Sequence, residues 1–386
     1  MNIQIINDFD KNKIYSAFDN IIIEFTLDQQ PQSPIDYAEI DGLGYDVTLS
    51  PNPEGEFYFN FRVFSKSYIT VDNLQDDMSY LVNTQDSQTF VKEDIQFMQG
   101  RNLSIKILLT DGTEIERQLI LKYYRGVENL ERFNHYFFVS KDDQQDYNPI
   151  SIYYFEGYPI DIGVFTTELR SVGFATEQSP NQSNSLQINT FPIIDNYQFS
   201  RLILSDGFKH LKSTNGTDLI SNISEIYITD FVENNFAVKI YNVVKIDSSC
   251  GGHYLKWLNR SGDYYYFLFS NLYEESIDSD SLGTINNDYS NKGYNPSPSL
   301  SKGKQSNREM TLFKQGVDAQ MRAFLSDIID SPRVYYYTGK KYERASKYDW
   351  KEVFITDNNF ELTRPNEYRW NYFLSIEFPE YKNQTI

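Results

Sequence analysis

The sequence predicts a mainly β protein with two or three β-sandwich-type domains, the C-terminal one carrying a single amphipathic helix. Apolar and polar residues alternate over many short segments, as at Leu103, Ile105, Ile107 and Leu109. Turn signals such as Asp-Gly separate several of these segments. Aromatic residues make up 16% of the 386 residues. Many are Tyr, whose ring packs while its hydroxyl contacts water, although a codon bias towards Tyr, Phe, Asn, Ile and Lys would raise the same count.

The first predicted domain is a β-sandwich over residues 1–125. Phe57, Phe59, Phe61 and Val63 alternate with polar or smaller residues, which predicts a strand with one apolar face. The dipeptide Asp111-Gly112 stands between two alternating segments and predicts a β-hairpin.

The second predicted domain is also β and covers residues 126–250. Its strand candidates are short apolar runs, and a Ser-, Asn- and Gln-rich loop interrupts them at 176–189. These runs are 152–155, 160–162, 201–204, 225–228 and 237–240.

The third predicted domain, residues 251–386, is β-rich. Tyr254–Leu258 and Tyr264–Phe269 are strand candidates joined by a turn at Asn259–Asp263, and a long alternation from Tyr368 to Phe378 is a third. The segment 274–308 has no hydrophobic period and is rich in Ser, Asn, Asp, Gly and Pro. This composition predicts a long loop that is disordered in the isolated chain and becomes ordered against a neighbour.

One helix is predicted at about 317–329 in this third domain. Apolar residues recur there at three- and four-residue spacing, and Ser331-Pro332 ends the pattern because proline disfavours a helical residue before it. The apolar positions are Val317, Met321, Phe324, Leu325 and Ile328.

Charge and cysteine content exclude several classes of function. The formal net charge is −19, and a surface this acidic repels nucleic acid and anionic lipid. The single cysteine, Cys250, cannot form an intramolecular disulfide, which fits assembly in a reducing cytoplasm. The sequence shows neither a secretory signal at its start nor an apolar run long enough to span a bilayer. We therefore expect neither nucleic-acid binding nor membrane insertion.

Motifs that carry chemistry are absent from the sequence. It has no G-x-S-x-G, H-E-x-x-H, Walker A or G-x-G-x-x-G motif, and its histidines, His135, His210 and His253, are far apart. Cys250 and His253 lack two further zinc ligands, and Asp278-Ser279-Asp280 with Gly283 departs from a calcium loop at two ligand positions. We predict no catalytic residues, no cofactor and no metal, although a chance pair of carboxylates leaves a glycan hydrolase open.

Patches in the middle, at the start and near the end of the chain (Cys250–Phe269, Ile14–Ile22 and segments between 325 and 380) resemble virion structural proteins of tailed phages that infect Bacteroidota, including crAss-like phages. The central patch is Cys250–Phe269, with its Tyr-Leu-Lys-Trp strand, Asn-Arg-Ser-Gly turn and aromatic return strand. The opening segment Ile14–Ile22 is similar to theirs. The closing segments 325–329, 331–335, 350–353 and 376–380 are similar as well.

The resemblance implies a ring or hub protein of the tail or baseplate, similar in role to distal tail proteins, with no active site. It implies a homo-oligomeric ring of six-fold or twelve-fold symmetry, with other virion tail proteins as partners. It also implies that the protein is assembled in the host bacterial cytoplasm and then resides in the tail of the virion. The alternatives are a carbohydrate- or receptor-binding adhesin and a glycan hydrolase. The candidate packing or interface residues are aromatic: Trp257, Tyr264, Tyr266, Trp350, Tyr368, Trp370 and Tyr372.

Overall fold

The computed structural model confirms the mainly β fold class. The structure describes residues 1–7, 9, 14–44, 46–69, 74–76, 91–127, 138–139, 150–166, 170–176, 198–203, 223–230, 237–286, 299–341, 346–356 and 370–379. Within these residues, the N-terminal part contains one short helix, α1 (Arg62–Tyr68), and nine strands: β1 (Ile3–Ile5), β2 (Ile14–Ser16), β3 (Ile22–Leu27), β4 (Ile35–Asp41), β5 (Val47–Leu49), β6 (Phe57–Asn60), β7 (Val91–Glu93), β8 (Met98–Leu109) and β9 (Glu114–Tyr124).

Eight of these nine strands, all except β7, form two sheets that share one hydrophobic cluster. One sheet has the order β1-β3-β6 and the other β2-β9-β8-β4-β5. Phe25 and Phe57 enter the cluster from the first sheet, and Ile105 and Leu121 enter it from the second. The predicted hairpin at Asp111-Gly112 is confirmed, because β8 pairs with β9 and Gly112 adopts a φ of 86° in the turn.

The predicted strand over Phe57–Val63 is wrong at its end. Strand β6 stops at Asn60, and Val63 lies in α1 with 70% of its surface exposed. Phe61 remains buried, because its backbone N–H bonds to the carbonyl of Ile21 and its carbonyl accepts from Ser65 as the chain turns into the helix. The apolar alternation therefore spans a strand end and a helix start.

The remaining described residues form sixteen strands, helix α2 (Ala319–Ser326) and a short 3₁₀ turn at Lys347–Asp349. The strands are β10 (Phe138–Val139), β11 (Ile150–Phe155), β12 (Asp161–Thr166), β13 (Arg170–Thr176), β14 (Gln198–Ile203), β15 (Ile223–Asp230), β16 (Ala237–Ile246), β17 (His253–Leu258), β18 (Tyr264–Phe269), β19 (Tyr273–Ser281), β20 (Thr284–Asn286), β21 (Ser299–Ser301), β22 (Lys304–Val317), β23 (Val334–Tyr337), β24 (Trp350–Ile355) and β25 (Trp370–Phe378).

Together with β7, these strands form four sheets, and all but the two-stranded sheet contribute residues to a second hydrophobic cluster. The sheet orders are β10-β12-β14-β7, β11-β16-β15-β13, β18-β17-β23-β24-β25-β22-β19 and β20-β21. The cluster contains residues from both sides of position 250, such as Phe155 and Leu202 on one side and Phe267 and Leu374 on the other. The predicted domain boundaries at 125 and 250 stay predictions. Described residues before and after position 250 contribute to the same hydrophobic cluster.

The predicted loop over 274–308 is wrong for the residues that the structure describes there. Residues 273–286 run antiparallel to 299–312 through the pairs β19–β22 and β20–β21, and residues 287–298 lie outside the described residues. We call this two-stranded element the ribbon. All nine residues of β19 are exposed, so both faces contact solvent over much of its length and the sequence needs no apolar alternation.

The predicted C-terminal helix is confirmed, with narrower bounds. Asp318 caps the helix α2 by accepting a 2.8 Å hydrogen bond from the backbone N–H of Met321. Leu325 and Ile328 are fully buried, while Met321 and Phe324 pack at the margin of the cluster. This single amphipathic helix therefore covers one side of the large sheet.

Trp257 is the penultimate residue of β17 and is fully buried. Its ring contacts those of Tyr265 and Phe324 at centroid distances of 5.9 and 5.4 Å. Trp257→Ala should therefore lower the free energy of unfolding by about 3–5 kcal/mol, the usual cost of truncating a buried aromatic side chain. Chemical denaturation measures this loss. Tyr348→Ala, at a position that is 83% exposed, is the control and should melt like the wild type; equal stability of the two variants would contradict the packing role.

Candidate functional site

The most unusual feature of the C-terminal part is a group of charged side chains buried among aromatic rings. We call Asp76, Asp161, Arg201 and Lys256 the charge cluster. Their side chains are at most 1% exposed. They come from the short segment 74–76 and from strands β12, β14 and β17, so the cluster joins four distant parts of the chain.

Arg201 is the central member of the charge cluster. Its Nη1 lies 2.6 Å from Asp76 Oδ1, its Nη2 lies 2.5 Å from Asp161 Oδ2, and its Nε donates to Asp161 Oδ1 at 2.9 Å. The contact with Asp161 is bidentate, the geometry in which a guanidinium binds a carboxylate most strongly. Tyr266 donates its hydroxyl to Asp161 at 2.7 Å and so completes the coordination of that carboxylate.

Lys256 neutralises the second carboxylate. Its Nζ lies 2.5 Å from Asp76 Oδ2 and 4.2 Å from the centroid of the Trp350 ring. The ring face attracts the ammonium group through a cation–π interaction. Burial lowers the pKa of Lys256, and Asp76 opposes this effect. Burial alone would raise the pKa of Asp76, but Arg201 and Lys256 hold it well below its usual value, so this carboxylate is ionised.

The formal charges in the cluster cancel, with two carboxylates against two cations. Removing one partner of such a buried set leaves an uncompensated charge in a medium of low dielectric constant. The side chains of all four members are at most 1% exposed, so their charged groups have almost no contact with solvent. The geometry of the cluster fits a structural role in which it fixes how β12, β14 and β17 pack.

A second set of contacts joins the N-terminal sheets to the turn between β17 and β18. We call it the junction. Arg125 forms a 2.9 Å ion pair with Asp94 and donates from Nε to the carbonyl of Gly262 at 2.6 Å. The backbone N–H of Val127 donates to the carbonyl of Arg260 at 2.7 Å. The two segments approach so closely that a Cβ on Gly126 would lie 2.6 Å from the backbone of Ser261. Only glycine, which has no Cβ, permits this contact.

Asp263 is a buried carboxyl group beside both the charge cluster and the junction. Its Oδ2 accepts a 3.0 Å hydrogen bond from the backbone N–H of Gly163 in β12. Within the part of the chain that the structure describes, its Oδ1 has no hydrogen-bond donor. Burial, together with the charge of Asp161, raises the pKa of Asp263 to about 7, while Arg201 and Arg125 oppose this shift.

The structure buries five of the seven aromatic residues that the sequence singled out. Trp257, Tyr264, Tyr266, Trp350 and Tyr372 are each at most 7% exposed. Tyr264, Tyr266 and Trp350 surround the charge cluster, and burial raises the pKa of Tyr264 well above its ordinary value. Trp257 and Tyr372 pack elsewhere in the same hydrophobic cluster. Trp370 begins β25, and Tyr368 lies outside the described residues.

The residues considered as metal ligands do not form a metal site in the described structure. Cys250 is exposed, while His253 is half-buried with its Nδ1 2.8 Å from the Tyr336 hydroxyl, and burial lowers the pKa of His253. Asp278 and Asp280 lie on β19 rather than in a loop. Among the residues with described positions, no group of three His, Cys, Asp or Glu side chains is placed to hold a metal ion. His135 and His210 lie outside those residues.

Sequence reasoning missed the charge cluster, although a signal for it exists. Lys256 stands inside the apolar run Tyr254–Leu258, Asp161 stands between Ile160 and Ile162, and Arg201 precedes Leu202-Ile203. A charged residue inside a strand that is otherwise apolar must be paired when it is buried. Such positions therefore mark the members of a buried ion network, although they do not show which members pair.

Comparisons with known proteins add little. No family model matches the sequence, and no curated protein matches it. Fibronectin(III)-like modules of CbhA from Clostridium thermocellum are 10% identical, with 63% of this chain and 93% of that chain covered and a TM-score of 0.21. A 1.5-MDa bacterial ice-binding adhesin is 7% identical over 77% and 86% of the two chains, with a TM-score of 0.17.

A third solved structure is a Ca²⁺-stabilised adhesin with which an Antarctic bacterium binds ice. It is 7% identical, covers 97% of this chain and 98% of that chain, and has a TM-score of 0.19. At such TM-scores the three similarities carry no inference about function. In the described part of the chain, no helix is both long enough and apolar enough to cross a membrane.

The charge cluster generates a prediction about stability. Arg201→Met leaves Asp76 and Asp161 buried without their shared cation and should cost about 3–5 kcal/mol of unfolding free energy. Lys106→Met is the matched control, because Lys106 forms a partly exposed 2.7 Å ion pair with Asp41, and it should cost at most about 1 kcal/mol. Urea denaturation compares the two variants. Equal losses would refute the structural role; if Arg201→Met does not fold, the milder Arg201→Lys should still lose more than the control.

Asp263 generates a prediction about pH. Its pKa in the folded chain is about 7, above the usual 3.8, so the folded state binds the proton more tightly. The stability that this proton contributes is present at about pH 4 and falls as the pH rises to 7, by up to about 1.4 kcal/mol per pH unit. Asp263→Asn should abolish this part of the decline. Thermal melts at pH 5 and pH 8 test it, with the exposed Asp278→Asn as control; parallel pH profiles for all three proteins would contradict the assignment.

Proposed function

We propose that the protein is a non-catalytic structural component of a tailed-phage virion, a ring or hub protein of the tail or baseplate. The observation that carries this proposal is the ribbon. It is a long pair of strands, and beyond the buried Met310 and Leu312 its apolar side chains are largely exposed: Ile277 is 53% exposed, Ile285 44% and Leu300 47%. A strand pair of this kind buries little surface within its own chain, and exposed apolar groups at such a site are typical of protein–protein contact.

The distribution of ionisable groups supports a structural function. The charged groups of Asp76, Lys256 and Asp263 have shifted pKa values, and the side chains of all three are enclosed. Catalytic acids and bases have perturbed pKa values too, but they must reach a substrate. The ion pairs of this protein hold strands together instead, and its charge cluster makes the body that carries the ribbon rigid.

The resemblance of the Cys250–Phe269 segment to virion structural proteins supplies the biological setting. In the structure this segment is the β17–β18 hairpin, whose Lys256 belongs to the charge cluster and whose turn belongs to the junction. The matching residues therefore lie where two large parts of the fold meet. A sequence pattern at a hairpin that holds two parts of the fold together supports the proposal of an assembly protein.

An adhesin that binds glycans is the second candidate, and one shallow pocket favours it. Tyr265 and Phe324 stack there at a centroid distance of 4.7 Å, beside Arg260 and Asp327, whose side chains lie 3.3 Å apart. An aromatic face beside planar polar groups can hold a sugar ring. Isothermal titration of the purified protein with host capsular polysaccharide tests this candidate, and Tyr265→Ala should abolish any such binding.

The proposed function is tested on purified phage particles. Mass spectrometry should find the protein in stoichiometric amounts, and electron microscopy of the particles should place it in a closed ring around the tail axis. A protein that is absent from the particles would refute the proposal, as would one secreted as a glycan-binding monomer. Turnover of polysaccharide that is lost on replacing one Asp or Glu would identify a hydrolase instead.

A further inference from the structure

Strand β19 is an edge strand of the seven-stranded sheet. It pairs with β22 on one side, and the sheet order ends with it, so its other side has no paired strand among the residues that the structure describes. All nine of its residues are exposed. Its register with β22 runs without a shift from Tyr273↔Leu312 to Ser281↔Lys304. The free edge is therefore long and regular.

This edge lacks most of the devices that prevent strand addition. Edge strands are commonly short, bulged, or interrupted by lysine or proline. β19 has nine residues and contains neither lysine nor proline, and its described pairing shows no bulge. Its four carboxylates are its only charged groups: Glu274, Glu275, Asp278 and Asp280.

The two faces of β19 differ in character. Side chains alternate along a strand, so Glu274, Asp278 and Asp280 share one face while Tyr273 and Ile277 share the other. Glu275 also lies on the second face, but it forms a 2.5 Å ion pair with Arg308 across the ribbon. One face is therefore anionic. The other is apolar with its one carboxylate neutralised, and Tyr273 and Ile277 are 49% and 53% exposed.

The apolar face and the acidic face of β19 favour the same kind of binding partner. A second copy of β19 would set carboxylates opposite carboxylates, and each chain already carries a net charge of −19. A strand whose alternate residues are basic and apolar would instead pair Lys or Arg with the acidic face and place its apolar residues beside Tyr273 and Ile277. Backbone hydrogen bonds to the free edge would supply affinity independent of sequence.

We propose that the free edge of β19 binds an extended segment of a partner protein in which basic and apolar residues alternate, so that the segment adds an eighth strand to the seven-stranded sheet. This inference rests on the proposed assembly function, for which it names the contact surface and the chemistry of the partner.

The test uses the full chain and a fluorescein-labelled nine-residue peptide that alternates lysine with valine. Fluorescence anisotropy should show saturable binding, whereas the same peptide with glutamate in place of lysine should not bind. A peptide of identical composition with its lysines grouped at one end should bind at least about tenfold more weakly, because it cannot satisfy both faces of β19. Equal binding of the grouped and the alternating peptides would overturn the proposal, since net charge alone would then explain the affinity.

Variants of the protein locate the binding site. Asp278→Lys combined with Asp280→Lys should weaken binding of the alternating peptide at least about tenfold, because both residues lie on the face where the lysines of the added strand would be their neighbours. Asp36→Lys combined with Glu54→Lys makes the same change in net charge at exposed positions in the N-terminal part and should leave binding within about twofold of wild type. Equal losses in the two variants would overturn the assignment.

The outcome separates this inference from the proposed function. A protein present in the tail ring that does not bind the alternating peptide keeps its proposed function and loses the strand-addition site. A protein that binds the peptide through β19 but is absent from virions keeps the site and loses the function. A dimer of the wild type that the Asp278→Lys and Asp280→Lys pair abolishes would identify a second copy as the occupant and overturn the basic partner.

Discussion

The ion pairs of Arg201 with Asp76 and Asp161 are the constraint on which the packing of the C-terminal part depends. A guanidinium with no solvent contact is tolerated only when its N–H groups are bonded and its charge is balanced. Asp161 in β12 binds the guanidinium of Arg201 in a bidentate manner. Asp76 is its second carboxylate partner and also binds Lys256 in β17. The strands that carry these residues can therefore pack in few other ways without leaving a buried charge alone.

The junction extends this constraint towards the N-terminal sheets. The β17–β18 hairpin contributes Lys256 to the charge cluster, while its turn accepts the hydrogen bond from Arg125. Asp263, in the same turn, contacts β12 through Gly163, where a Cβ would lie 2.5 Å from the carboxyl group. One hairpin thus connects both parts of the fold. A rigid body of this kind can hold an exposed edge strand at a fixed position, as a component of a symmetric assembly requires.

Elements with local signals were predictable from the sequence. The Asp-Gly hairpin, the aromatic strands on both sides of the Asn259–Asp263 turn, and helix α2 each follow from spacing within about fifteen residues. Other features depend on residues far apart in sequence. Lys256 and Asp76 are 180 positions apart, and Arg201 and Asp76 are 125 apart, so no local pattern indicates that they meet. The ribbon was missed for a different reason: strands with solvent on both faces show no hydrophobic period.

We propose that a body held rigid by buried charges presents an exposed edge strand to a partner. Hydrogen–deuterium exchange of the free protein and of the protein in assembled particles tests it most directly. In the free protein, amides of β12, β14 and β17 should exchange only on global unfolding, while outward-facing amides of β19 should exchange rapidly. In the particle, exchange in β19 should slow markedly. Rapid exchange in β17 of the free protein, or unchanged exchange in β19 after assembly, would contradict the account.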